Sequence, residues 1–199
     1  PGGVGTAEEV LYLLGILLHP DNRDLPMPFI MTGPPESESY LRHIDDFVVA
    51  TLGAAAKSRY RIIIDDPQEV ARQLQSGLKQ VVEFRKHHGD AFYFNWRLKI
   101  DHEFQKPFVA SHATMRELVL AEDAPPHLLA ANLRRVFSGI VSGNVREDTM
   151  ARIERDGPFE IRGSARVMGL LDDLLKAFVA DGRMKLVSRD YVPCYRIVV

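Results

Sequence analysis

Residues 28–64, PFIMTGPPESESYLRHIDDFVVATLGAAAKSRYRIII, decide the fold. Pro28 to Met31 is a short apolar run closed by Thr32-Gly33-Pro34-Pro35, and Tyr60 to Ile64 is a second run, rich in Ile, closed by Asp65-Asp66-Pro67. Short apolar runs bounded by turn residues read as buried strands. Between them, Ser39 to Leu52 places Leu41, Ile44, Phe47, Val48 and Leu52 at helical spacing. Upstream, Ala7 to Leu18 carries Val10, Leu11, Leu14, Leu17 and Leu18 on one helical face and stops at His19-Pro20. Downstream, Pro67 opens a further helix running to about Val82, with Asp66 as its cap. Strands that are apolar throughout and alternate with helices predict a parallel sheet covered on both faces. This is the α/β, doubly wound, Rossmann-like class, here the C-terminal half of such a sheet.

Beyond about Leu78 the strand–helix alternation is expected to stop. Ala91 to Phe108 (AFYFNWRLKIDHEFQKPF) is dense in aromatics, Pro125-Pro126 precedes a helix from His127 to about Ser142, and Glu147 to Arg155 and Ala165 to Val179 are further helical stretches before a strand-like Tyr195 to Val199. The reading is two units: residues 1–80, a nucleotide-binding half-sheet, and residues 81–199, an α-rich C-terminal domain. Charge divides the same way, with 7 basic and 12 acidic residues from Pro1 to Phe84 against 18 and 15 from Arg85 to Val199.

The 199 residues carry a formal net charge of -2 with 46% hydrophobic and 26% charged side chains, as in an ordinary globular chain. That balance offers no basic face for nucleic acid. The longest apolar stretch, Val10 to Leu18, is about half of the ~20 residues a membrane span needs. Cys194 is the lone cysteine, so no internal disulfide forms and a cytoplasmic location is expected. The chain opens on Pro1 with a glycine-rich loop that ordinarily follows a strand, so it reads as part of something longer.

That loop, Pro1-Gly2-Gly3-Val4-Gly5-Thr6-Ala7-Glu8-Glu9, is where chemistry is expected. Glycines let a backbone approach a ligand closely, and a helix starting near Ala7 would add its positive end, so Gly2, Gly3, Gly5 and Thr6 form a candidate phosphate site. A Walker loop is excluded because no Lys precedes Lys57, and a dinucleotide fingerprint from Gly3 would want Gly or Ala at Glu8. A mononucleotide is favoured. The structural alternative is a capping box with Thr6 as cap and Glu9 three residues on. Capping explains the Thr and the Glu but not three glycines.

The segment resembles the PGGxGTxxE signature of the LONELY GUY family, once called lysine decarboxylases, whose members are phosphoribohydrolases of nucleoside monophosphates; Pro1, Gly2, Gly3, Gly5, Thr6 and Glu9 all match. Pro28 to Met31 and Tyr40 to Phe47 are similar to that family's next strand and helix. FNWRLKIDHEFQKPF, NLRRVFSGIVSGNV and ERDGPFEIRG resemble the C-terminal domain of the large bacterial nucleotide 5'-monophosphate nucleosidases, so the likeness spans essentially the whole chain. It implies hydrolysis of the N-glycosidic bond of purine or pyrimidine nucleoside 5'-monophosphates to free base and ribose 5-phosphate. Glu9 is then the candidate catalytic carboxylate, with Glu8 second. The resemblance also implies an Arg upstream of the signature that is not in this sequence, so the chain alone would hold half of the catalytic pair. No cofactor is implied, and no Schiff-base Lys is marked, which sets the decarboxylase label aside. A homo-oligomer and guanosine tetraphosphate or pentaphosphate as effector are further implications. The rival from another class is a non-catalytic mononucleotide-sensing module, which would bind without turnover.

Other residues are expected to be structural. Thr32, Gly33 and Pro34 follow a strand, and Ser37 or Ser39 would cap the next helix. His87-His88 and His102 with His112 lack the further ligands a metal site needs, so no metal is expected. Phe92, Tyr93, Phe94, Trp96 and Phe104 would fill a domain or subunit contact. Arg134, Arg135, Arg152, Arg155, Arg162 and Arg166 would be solvated or paired, with a polyanion as the alternative partner.

Overall fold

The computed structural model describes residues 2–90, 97–184 and 192–198. Helix α1 (Val4–Leu17) starts three residues before Ala7, with Gly3 at its cap, and buries Val10, Leu11, Leu14 and Leu17. Strand β1 (Ile30–Gly33), helix α2 (Glu38–Lys57) and strand β2 (Arg61–Ile64) form one βαβ unit. The two strands pair in parallel, Ile30 opposite Arg61 through Gly33 opposite Ile64. The helix periodicity ends at Leu52 for a reason: Gly53 has φ 77°, which interrupts α2 before its last turn. Helix α3 (Pro67–His87) starts as expected, with Pro67 in its first turn and Asp66 Oδ1 accepting from the Glu69 amide at 2.8 Å.

The alternation, expected to stop, resumes. After the short helix α4 (His112–Arg116) come β3 (Val119–Leu120), α5 (Pro126–Val145), α6 (Glu147–Asp156), β4 (Phe159–Gly163), α7 (Ala165–Ala180) and β5 (Tyr195–Val198). The strands form a second parallel sheet in the order β3-β4-β5. Two features hid it from the sequence. Strand β3 is two residues long, and in β4 only Phe159 and Ile161 are fully buried. On the other face Glu160 takes Arg116 from α4 at 2.9 Å and Arg196 from β5, so a cross-strand ion cluster replaces apolar residues. The molecule is thus α/β, with parallel sheets flanked by helices.

One hydrophobic core runs through both halves. Helix α1 lies along α5, and α2 packs on α5 and α7. Leu11 and Leu14 share that core with Leu133, Val136 and Phe137, and the Phe47 and Phe137 rings meet edge to face at 6.1 Å. Cys194 belongs to it as well: burial pushes its thiol up to about 11, so it behaves as a small apolar side chain. Phe137 is fully buried between elements of both halves. Its replacement by alanine is expected to destabilise the fold by about 3–5 kcal/mol, read as a lower urea midpoint with an unchanged slope. Helix and sheet signals should be lost in one transition. Among the described residues no helix is long and apolar enough to cross a membrane.

Candidate active site

The site begins at the cap of α1. A Cβ on Gly3 would collide with the carbonyl oxygen of Arg183, in the loop after α7. Only glycine lets the chain pass beneath that backbone. The Gly3 carbonyl accepts from the Thr6 amide at 3.1 Å, from the Ala7 amide at 3.2 Å and from the Tyr40 hydroxyl at 2.7 Å. Thr6 therefore sits three residues inside the helix, and the capping box expected from Thr6 and Glu9 does not form. The cap is a glycine, and no side chain caps this end. First-turn amides without a side-chain acceptor, at the positive end of a 14-residue helix, suit an anion. Gly2 and Gly5 are exposed there; a Cβ on Gly2 would press on Thr6 Oγ1, whereas Gly5 has open space around it. Pro1 lies outside the described residues.

Tyr40 and Arg183 complete this end of the helix, and sequence reasoning assigned neither a role. The Arg183 guanidinium stands 5.6 Å from the Tyr40 ring centroid and donates to the Glu36 carbonyl at 3.0 Å. Burial pushes the Tyr40 hydroxyl up to about 12, against the pull of Thr6 and Arg183 and with the help of the Glu9 charge. It stays a donor at any physiological pH. An aromatic at the first turn of α2 was a visible signal, but nothing local distinguishes Arg183. A cleft of about 190 Å³ beside the glycine loop is bounded by Gly3, Gly5, Ile140, Asn144 and Arg183.

Glu8 and Glu9 differ sharply. Glu9 is exposed. Glu8 is turned toward α5, its Oε1 3.9 Å from Arg134 Nε and its carboxylate hydrogen-bonded by Ser138. Burial pushes the Glu8 carboxyl above its ordinary value, the Ser138 hydrogen bond and the Arg134 charge oppose this, and the neighbouring Glu9 charge adds to it. Both carboxylates open on a cleft of about 300 Å³ whose other walls are Tyr12, Arg134 and residues 104–107. Phe104 packs on the Tyr12 ring at 5.7 Å; Phe92, Tyr93, Phe94 and Trp96 lie outside the described residues.

The remaining expectations resolve individually. Neither Ser37 nor Ser39 caps α2. Ser37 stands at the cap position, but its backbone is already helical because the turn Pro35–Ser37 runs straight into α2, and its buried hydroxyl has no hydrogen-bond partner. The Ser39 hydroxyl meets His43 Nε2 at 3.2 Å and Asp181 at 3.4 Å. Arg152, Arg155 and Arg166 pair with Asp148, Asp156 and Glu122. His112 Nε2 lies 2.8 Å from the Gly157 carbonyl, and the His88 ring stacks on Phe84. Among the described residues no group of three or more His, Cys, Asp or Glu side chains is placed to hold a metal ion.

Comparison with known proteins divides the chain in the middle of α3. Residues 1–74 match the family described as "Possible lysine decarboxylase". Residues 78–198 match the family described as "Pyrimidine/purine nucleotide monophosphate nucleosidase, C-terminal". The pyrimidine/purine nucleotide 5'-monophosphate nucleosidases of Escherichia coli strain K12 and of Escherichia coli O157:H7 are each 54% identical to it over 197 residues. That alignment covers 99% of this chain and 43% of those proteins, so the chain spans less than half their length. Matched along its whole rear half and at this identity to curated members, the chain belongs to the pyrimidine/purine nucleotide monophosphate nucleosidase family.

Proposed function

We propose that the chain carries the phosphate-binding loop and a catalytic carboxylate of an enzyme that hydrolyses the N-glycosidic bond of nucleoside 5'-monophosphates, releasing free base and ribose 5-phosphate. The observation that carries this reading is the end of α1: a first turn with no side-chain cap, followed one turn on by Glu9, exposed at an open cleft. Gly2, Gly3, Gly5 and Thr6 hold the 5'-phosphate, which fixes the sugar relative to Glu9. As the bond from C1' to the base nitrogen breaks, its electron pair leaves with the base and positive charge spreads over C1' and the ring oxygen. The Glu9 carboxylate stabilises that charge and orients the water that adds to C1', whose proton ends on the departing base. Glu8 stands beside it.

Residues 1–80 act as the nucleotide-binding half and residues 81–199 as the C-terminal domain. A cytoplasmic homo-oligomer regulated by guanosine tetraphosphate or pentaphosphate belongs to the same reading and rests on the family resemblance. The test is to incubate the full-length protein with each common nucleoside 5'-monophosphate and quantify base and ribose 5-phosphate by chromatography. Release by the wild type and not by Glu9→Ala is expected. Tight binding of a nucleotide with no release from the wild type would replace the enzyme with a sensing module.

A further inference from the structure

Helix α5 contributes a cation to the wall of the Glu8–Glu9 cleft. The Arg134 side chain is only 13% exposed; its guanidinium lies 5.2 Å from the Tyr12 ring centroid, and its Nε 3.9 Å from Glu8 Oε1. Glu8 and Tyr12 are one turn apart on α1, so one planar guanidinium grips two side chains of the same helix face. The Tyr12 hydroxyl donates to the Phe104 carbonyl at 3.2 Å, which ties residues 104–107, the opposite wall, to the same contact. Stability alone is a weak reason for this pair. Partly buried ion pairs contribute little net stability, because desolvating two charges offsets most of their attraction. Its location suggests another purpose, since it fixes Glu8 beside the exposed Glu9 on the same cleft.

We propose that Arg134 is a positioning residue of the hydrolytic site: it holds the Glu8 carboxylate against α5, so that Glu9 alone meets the water and the sugar. This rests on the reading of Glu9 as the catalytic carboxylate. Without Arg134, Glu8 is released to compete for the same water, and its charge is no longer offset beside Glu9. The charged and titratable groups facing Glu8 are Glu9 and Tyr12 on α1, Arg134 with the Ser138 hydroxyl on α5, and Lys106 on the opposite wall, where it pairs with Glu103. Arg134 and Ser138 are the two that favour the ionised form. Loss of Arg134 therefore moves protonation of Glu8 to higher pH.

The test compares Arg134→Gln, Arg134→Lys, Glu8→Gln and the double variant Arg134→Gln/Glu8→Gln in the full-length protein, with thermal melts confirming that each folds. Arg134→Gln is expected to lower kcat by about tenfold to a hundredfold while KM moves by less than about threefold, as for a misplaced rather than a missing group. Arg134→Lys, which keeps the positive charge facing Glu8, should recover most of the loss. In the Glu8→Gln background the Arg134 substitution should have little further effect, because it acts through Glu8. Turnover equal to wild type, or the same loss on both Glu8 backgrounds, would overturn the positioning role and leave Glu9 untouched. A wild type that releases no base overturns the reading of Glu9, and the Arg134 role with it.

Discussion

Conversion of Glu9 to glutamine is expected to reduce base release by about a thousandfold, within the range that a positioned acid or base contributes. The substitution keeps the shape of the side chain and removes only the negative charge that would face the oxocarbenium-like sugar. Glu9 is exposed on the second turn of α1, so its replacement should leave stability within about 0.5 kcal/mol of wild type. Nucleotide affinity, measured by calorimetry, should change by no more than a few-fold if, as proposed, the glycine end of the helix holds the 5'-phosphate. Loss of turnover with binding intact is the signature of a group that acts only in the transition state. Turnover retained within about tenfold would remove Glu9 from the mechanism, since a positioned acid or base contributes more than that.

A Gly3→Ala substitution is expected to destabilise the protein by about 2–4 kcal/mol, among the larger effects of a single methyl group. The added Cβ meets a backbone carbonyl, that of Arg183, and backbone cannot swing aside as a flexible side chain would. Relief requires moving the loop after α7 or the cap of α1, and the latter carries the Tyr40 hydrogen bond. Gly5→Ala is the informative contrast. Gly5 is exposed with open space where its Cβ would be, and alanine is the better helix former by about 1 kcal/mol, so stability should hold or rise. If the phosphate lies against this turn, the same methyl group raises KM. Urea denaturation and steady-state kinetics on the two variants together separate the glycine that the fold requires from the glycine that the ligand requires.

Much of the architecture was legible because local chemistry and tertiary environment agree. The Tyr60–Ile64 run and the second half of the Pro28–Met31 run became adjacent parallel strands, although β1 continues through Thr32 and Gly33, which had the types of a closing turn, and Asp66 with Pro67 opened α3 as their types demand. Where they disagree, the reading went astray. FEIRG at 159–163, which no strand pattern marks, holds only two fully buried apolar residues, and the partners of Glu160 lie 44 residues upstream and 36 downstream. The cap of α1 was misplaced because Thr6 has the right type and spacing for a box, while the feature that selects Gly3 is a carbonyl 180 residues away.

What the sequence determined by itself is therefore the class of the fold, the glycine loop at a helix start and the two carboxylates that follow it. Those depend on periodicity, turn chemistry and spacing, all of which act within a few residues. The signature already ranked Glu9 above Glu8, and only the tertiary structure decided how their surroundings differ. They are adjacent in sequence, identical in type and open on the same cleft, but α5 brings Arg134 and Ser138 against Glu8 and leaves Glu9 exposed. Burial and charge at a carboxylate are set by whatever packs against it, and here that is a helix more than a hundred residues distant.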